Sequence, residues 1–122
     1  MPVTHEFEGQ ILTLRMTGEY VPADIRSALA LALREPRVEP IHGMLFDVSD
    51  SSAIARRSTQ EIRAMAAFLA HNGPSFGGRL ALVAVTDISY GLMRVGGADV
   101  ESAGVTVRAF RKVDEARAWL GA

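Results

Sequence analysis

Leu80-Ala81-Leu82-Val83-Ala84-Val85 is the longest uninterrupted apolar run in this 122-residue chain. A membrane-spanning helix needs about 20 apolar residues, so this run reads instead as a strand covered on both faces. Gly77-Gly78 leads into it, and the spacing predicts a strand over 79–86, the most apolar and the central one of the sheet. Upstream, Met44-Leu45-Phe46 marks a second such strand over 41–48. Downstream, Val105, Val107 and Ala109 alternate with Thr106 and Arg108, as in a strand with one wetter face.

Helical spacing fills the gaps between these strands. Ile62, Met65, Ala66 and Leu69 fall at i, i+3, i+4, i+7 behind Ser58-Thr59-Gln60-Glu61, which has the form of a capping box. His71-Asn72-Gly73-Pro74 ends that helix, and Gly73-Pro74-Ser75-Phe76-Gly77-Gly78 is a connection. It runs helix, glycines, strand, the reverse of a phosphate cradle. A third helix is expected over 88–103. Its Gly96-Gly97 pair costs about 2 kcal/mol relative to Ala-Ala, so either something packs closely there or the helix breaks. Val113, Ala116, Trp119 and Leu120 form the inner stripe of a last helix ending at Gly121. Before the first parallel strand, Ile25, Ala28, Leu29 and Ala32 line a helix over 22–34, with Pro22 in its first turn and Pro36 beyond its end. Residues 5–16 alternate around Gly9-Gln10 as a hairpin. The order β-β-α-β-α-β-α-β-α predicts an α/β domain spanning 1–122. It is an open, mostly parallel five-stranded sheet with an N-terminal antiparallel hairpin and about four covering helices.

Composition narrows the function. Thirteen basic residues stand against 14 acidic ones, for a net charge of −1. No basic excess exists to displace counterions from nucleic acid. There is no cysteine, which excludes disulfides, zinc–thiolate sites and cysteine nucleophiles. The start, Met1-Pro2-Val3-Thr4-His5-Glu6, lacks the basic and apolar regions of a signal peptide, and a cytoplasmic location is expected. Twelve arginines against the single Lys112, with 18 alanines, match a GC-rich coding bias. Not every Arg is therefore a ligand for phosphate.

Candidate sites gather at the strand ends. Asp47 and Asp50 close the strand over 41–48, where open α/β sheets bind ligands. Ser51, Ser52, Arg56, Arg57, Ser58 and Thr59 follow in the loop and helix start. A phosphate at that helix N-terminus would meet free N–H groups, and Arg56 and Arg57 could pair with it. The plainer reading of Ser58 is a helix cap. Asp87 joins Asp47 and Asp50 as the only carboxylate group that could suggest a hard cation, but Asp87 equally suits a helix cap. His5, His42 and His71 lack metal-ligand spacing, and no Gly-x-Ser-x-Gly elbow supports a nucleophile. No cofactor is expected. Tyr90, Leu92, Met93 and Val95, beside Gly96-Gly97, could border an apolar pocket.

Leu45-Phe46-Asp47-Val48, Tyr90-Gly91-Leu92-Met93-Arg94, and Val105 to Phe110 with Val113 to Leu120 resemble the SpoIIAA-like branch of the STAS superfamily, a group of small bacterial domains. The resemblance covers nearly the whole chain and rests mostly on core positions. It implies a regulatory module without catalytic activity that docks a protein partner. In relatives that antagonise anti-sigma factors, a serine at the N-terminus of the helix after the third strand is phosphorylated, within Asp-Ser-Ser-Gly. Asp50-Ser51-Ser52-Ala53 has its first three letters but lies only three residues past Asp47. Ser58 matches by position. The CRAL-TRIO side of the resemblance implies, as the alternative, a carrier of a small apolar ligand such as a lipid. A homo-oligomer is compatible with either reading.

Overall fold

The computed structural model describes residues 2–37 and 39–121. Two strands open the chain, β1 (Val3–Glu8) and β2 (Ile11–Thr17), antiparallel about Gly9-Gln10. There follow α1 (Pro22–Arg34), β3 (Gly43–Asp50), α2 (Thr59–His71), β4 (Arg79–Val83), α3 (Asp87–Ser102), β5 (Thr106–Phe110) and α4 (Val113–Leu120). The sheet order is β1-β2-β3-β4-β5, and β2 to β5 are all parallel. The expected architecture is thus the observed one.

Period-two alternation divides the strand side chains between two faces. Leu12, Leu14, Met16, Met44, Phe46, Val48, Leu80 and Leu82 join the buried residues of α1, α2 and α3 in the main core. Ile11, Leu45, Ala81 and Val83 face the other way, onto Ala116 and Leu120 of α4. Three crossovers of one hand through adjacent strands put their helices on one face. Only α4 is left for the other. It is held by Arg79, whose guanidinium lies 4.4 Å from the centroid of the Trp119 ring and donates to the Trp119 carbonyl at 2.9 Å.

Several boundaries differ from the expectations. The middle strand is β3; β4 is internal but one place off centre. A continuous apolar run reports coverage on both faces, which both strands have, and says nothing of order. β3 runs on to Asp50, because Thr17 of β2 still pairs with it. The expected loop over 49–57 contains a 3-10 turn, Ala53–Arg56, anchored by buried Ala53 and Ile54. β4 stops at Val83, and Thr86 becomes the cap of α3, its hydroxyl accepting from the Ser89 N–H at 3.1 Å. Asp87 is therefore the first helical residue rather than the cap. The connection after α2 forms a second 3-10 turn, Gly73–Phe76, which buries Phe76 completely.

The Gly96-Gly97 question resolves toward close packing, since α3 is unbroken. A Cβ on Gly97 would lie 3.0 Å from Leu82 Cδ1 and 3.2 Å from Val107 Cγ1. One on Gly96 would lie 3.3 Å from Ile62 Cγ2. The glycines let α3 settle onto the sheet and α2.

Candidate functional site

The parallel strands all end at one edge of the sheet. The loops there are stitched together. The Ser51 hydroxyl donates to the Gly18 carbonyl and accepts from the Ala53 N–H at 3.2 Å, tying the β3 loop to the end of β2. Arg56 pairs with Glu19 in the same connection. Arg111 pairs with Asp87 at 2.8 Å, donates to the Val85 carbonyl at 3.1 Å and stacks over Tyr90. It joins the loop after β4 to the loop after β5.

At the head of α2, Ser58 and Glu61 close a reciprocal capping box. The Glu61 N–H donates to Ser58 Oγ at 3.1 Å, and the Ser58 N–H donates to Glu61 Oε1 at 3.0 Å. That backbone N–H, helped by the positive charge of Arg57, holds the Glu61 carboxyl below its ordinary range, against partial desolvation. Arg57 Nη1 lies 3.5 Å from Glu61 Oε2. Each arginine expected to await a phosphate thus already has a carboxylate partner. Ser52, Ser58 and Thr59 are exposed, as is Asp50.

Asp47 departs from the expected site. It is 1% exposed and points to the α4 face with Leu45, not to the loop surface. Its carboxylate accepts from the Ser49 N–H at 2.9 Å and faces Arg15 Nε at 3.6 Å. Alternation along β3 dictates this orientation. Asp47, Asp50 and Asp87 do not converge. Among the described residues, no three His, Cys, Asp or Glu side chains lie close enough together to hold a metal ion.

The residues expected to border an apolar pocket fall in different places. A cavity of about 50 Å³ lies in the main core between α1, α2, α3 and the sheet, with Leu92 and Met93 in its wall. Tyr20, Phe46, Ile62 and Leu69 also line it. Val95 does not; it is 46% exposed, turned outward by its place on α3. Tyr90 instead borders an open groove of about 490 Å³ between α3 and β5, with Arg94, Glu101 and Arg108, and Met93 lines both spaces. The sequence reading missed Tyr20, which is 3% exposed beside the cavity. Burial pushes its hydroxyl up to about 12, and the charge of Arg57 acts in the opposite direction. It also missed three exposed apolar side chains in the connections at the strand-end edge, Val21 before α1, and Val85 and Ile88 between β4 and the first turn of α3. Ile88 lies off the buried stripe of α3, which runs through Ser89, Met93, Gly97 and Val100. That offset was the available signal.

The sequence matches no protein-family model and no curated protein. Its structure is similar to an uncharacterized protein of the DUF3478 family from Shewanella loihica PV-4, described as having a SpoIIAA-like fold. The TM-score is 0.60 at 15% identity, over 97% of this chain and 91% of that one. The fold is SpoIIAA-like. Such a likeness fixes architecture, and a SpoIIAA-like domain can carry different functions. Among the described residues, no helix is long and apolar enough to cross a membrane.

Proposed function

We propose that the protein is a non-enzymatic docking module that holds a protein partner on the strand-end edge of its SpoIIAA-like sheet. One observation carries this reading: Val21, Val85 and Ile88 are 51%, 54% and 66% exposed there. Single exposed apolar side chains are ordinary, and grouping is what signals an interface. Val21 follows β2 and Val85 follows β4. Neighbouring strands lie about 4.8 Å apart, so the ends of β2 and β4 stand about 10 Å apart, with the β3 loop between them. Our reading is that these side chains and the polar β3 loop act as one edge, with the mixed apolar and polar composition of a small interface.

Ser58 supports a charge-controlled version of this docking. A phosphoryl group on its hydroxyl would sit at the head of α2, displace the Glu61 carboxylate from the box and release Arg57 to pair with it. The change would be local to the docking edge. The test is quantitative capture of binding proteins by immobilised wild type, Val85→Ser with Ile88→Ser, and Ser58→Asp. The double variant is expected to lose the proteins that wild type retains, and Ser58→Asp to change their yield. Equal recovery by all three contradicts the reading.

A second reading has the cavity in its favour: binding of a small apolar ligand. About 50 Å³ is a third of the roughly 150 Å³ that accepts a benzene, so the space suits a molecule smaller than a lipid chain. Methyl resonances of Leu69 and Leu92 should shift saturably with such a ligand.

A further inference from the structure

The sheet has two side strands, β1 and β5, and each leaves one row of backbone groups without a neighbouring strand. On β5 the Thr106 N–H donates to the Gly78 carbonyl at 2.9 Å, and the Phe110 carbonyl accepts from the Ala84 N–H at 3.1 Å. Thr106, Arg108 and Phe110 thus face β4, and Val107 and Ala109 turn their N–H and C=O groups outward. On β1 the Pro2 carbonyl accepts from the Thr17 N–H at 2.8 Å, so the same alternation turns Val3, His5 and Phe7 outward. Among the described residues, no turn, loop or cap takes up these outward groups.

The two sides carry opposite charge on the same face of the sheet. Glu6 and Glu8 share the α4 face of β1, where Glu8 reaches Arg117 of α4 at 3.0 Å. Arg108 lies on the α4 face of β5. Its guanidinium stands 5.5 Å from the centroid of the Phe110 ring, which packs against Trp119 of α4. Glu6 and Arg108 are both exposed, and neither has an ion-pair partner among the described residues. A charge on an unpaired strand deters most strands and selects one of opposite sign.

We propose that β5 of one copy pairs antiparallel with β1 of a second copy, extending the sheet head to tail. The antiparallel sense keeps the α4 faces of both copies on one side. In the centred register Val107 lies opposite Phe7 and Ala109 opposite His5, as hydrogen-bonded pairs. Between them Arg108 lies opposite Glu6 as a non-hydrogen-bonded pair, whose side chains are closest. The helices permit the approach. Gly97 seats α3 over Leu82 of β4 and Val107 of β5, and α1 packs on β1 and β2. Two strand spacings set those helices about 10 Å apart across the contact, an ordinary packing distance. The groove between α3 and β5 is then roofed by Phe7 of the added strand, which is half-buried in the single chain.

Two β5 strands in the centred register would set Arg108 against Arg108, a repulsive pair. A head-to-tail contact leaves a free side strand at each end, so it builds chains or rings and not a closed dimer. The paired strand is short, so association is weak and low-micromolar solutions hold single chains. This surface flanks the sheet and is independent of docking at the strand-end edge.

The test is sedimentation velocity of the full chain from about 10 μM to about 1 mM. Species larger than a dimer should appear at the upper end and recede as salt is raised. Glu6→Arg alone and Arg108→Glu alone set like charges opposite each other, and each should weaken association about tenfold. Mixed in equal amounts, the two variants restore opposite charges at every contact between them, and association should return. Amide hydrogen exchange at Val107 and Ala109 should slow with concentration. Exchange at Thr106 and Arg108 should not, because their N–H groups already face β4. Single chains at every concentration, a dimer that grows no further, or a mixture that associates no better than either variant alone overturns the proposal. Should a variant not fold, the wild-type concentration series and its hydrogen exchange decide.

Discussion

Tyr20 is held out of water where the chain turns from β2 into α1, and its proton is correspondingly hard to remove. Its folded value of about 12 lies above the ordinary 10.0, with burial as the main cause. The sign follows from linkage. A raised value means that folding favours the protonated form. The stabilisation is complete below about pH 10 and is lost as pH rises from 10 through 12. In a Tyr90→Phe background, absorbance of the tyrosinate should therefore appear near pH 12, accompanied by loss of stability over that interval. Ionisation near pH 10 in the folded protein contradicts the burial. Asp47 makes the complementary case, a buried carboxylate facing Arg15. Arg15→Met should lower stability by about 2 kcal/mol in urea unfolding, below the full cost of breaking a buried pair because Arg15 is 37% exposed. Its orientation was legible in principle. Leu45 and Asp47 are two apart and must share a face, so a residue read as the end of a strand was already committed to the α4 side. Tyr20 was not legible, because nothing near Gly18-Glu19-Tyr20 announces its place in the wall of the core cavity.

Secondary elements were mostly open to inspection. The i, i+3, i+4, i+7 stripes of α1, α2 and α4 are the faces that pack, and the capping box at Ser58 is present atom for atom. Ser58→Ala should cost about 1 kcal/mol, measured by chemical denaturation, through the lost cap. Strand ends were less legible. They depend on where a neighbouring strand stops pairing, which is a property of two segments and not of one. The glycines of α3 show the same division. Gly91 faces open space, and Gly97 faces Leu82 and Val107. Gly91→Ala should raise stability by about 1 kcal/mol through helix propensity alone. Gly97→Ala gains the same propensity but crowds the core, and a net loss of about 1 kcal/mol is expected. Equal effects in the two variants would mean that α3 is not seated on the sheet as described.

At the scale of the molecule, alternating strands and helices sufficed for a mostly parallel sheet, and the resemblance to SpoIIAA-like domains agreed. The strand order and the one-sided arrangement of three helices required coordinates, because apolar runs measure coverage and not adjacency. The candidate site was legible only in its polar half. Ser58, Arg56 and Arg57 were found from local sequence, and each turned out to have a partner. The apolar half comes from two separate connections, Val21 between β2 and α1 and Val85 with Ile88 between β4 and the first turn of α3, which the parallel sheet puts at its strand-end edge. The most direct test of docking at that edge uses an internal control. Leu31, in the last turn of α1, is 51% exposed, as Val21 is, but sits at the opposite end of the helix. A photo-crosslinking amino acid placed at Ile88 and, separately, at Leu31 in the full chain should give discrete protein adducts at Ile88 and none at Leu31. The same adducts from both positions, or none from Ile88, would contradict a docking surface at the strand-end edge.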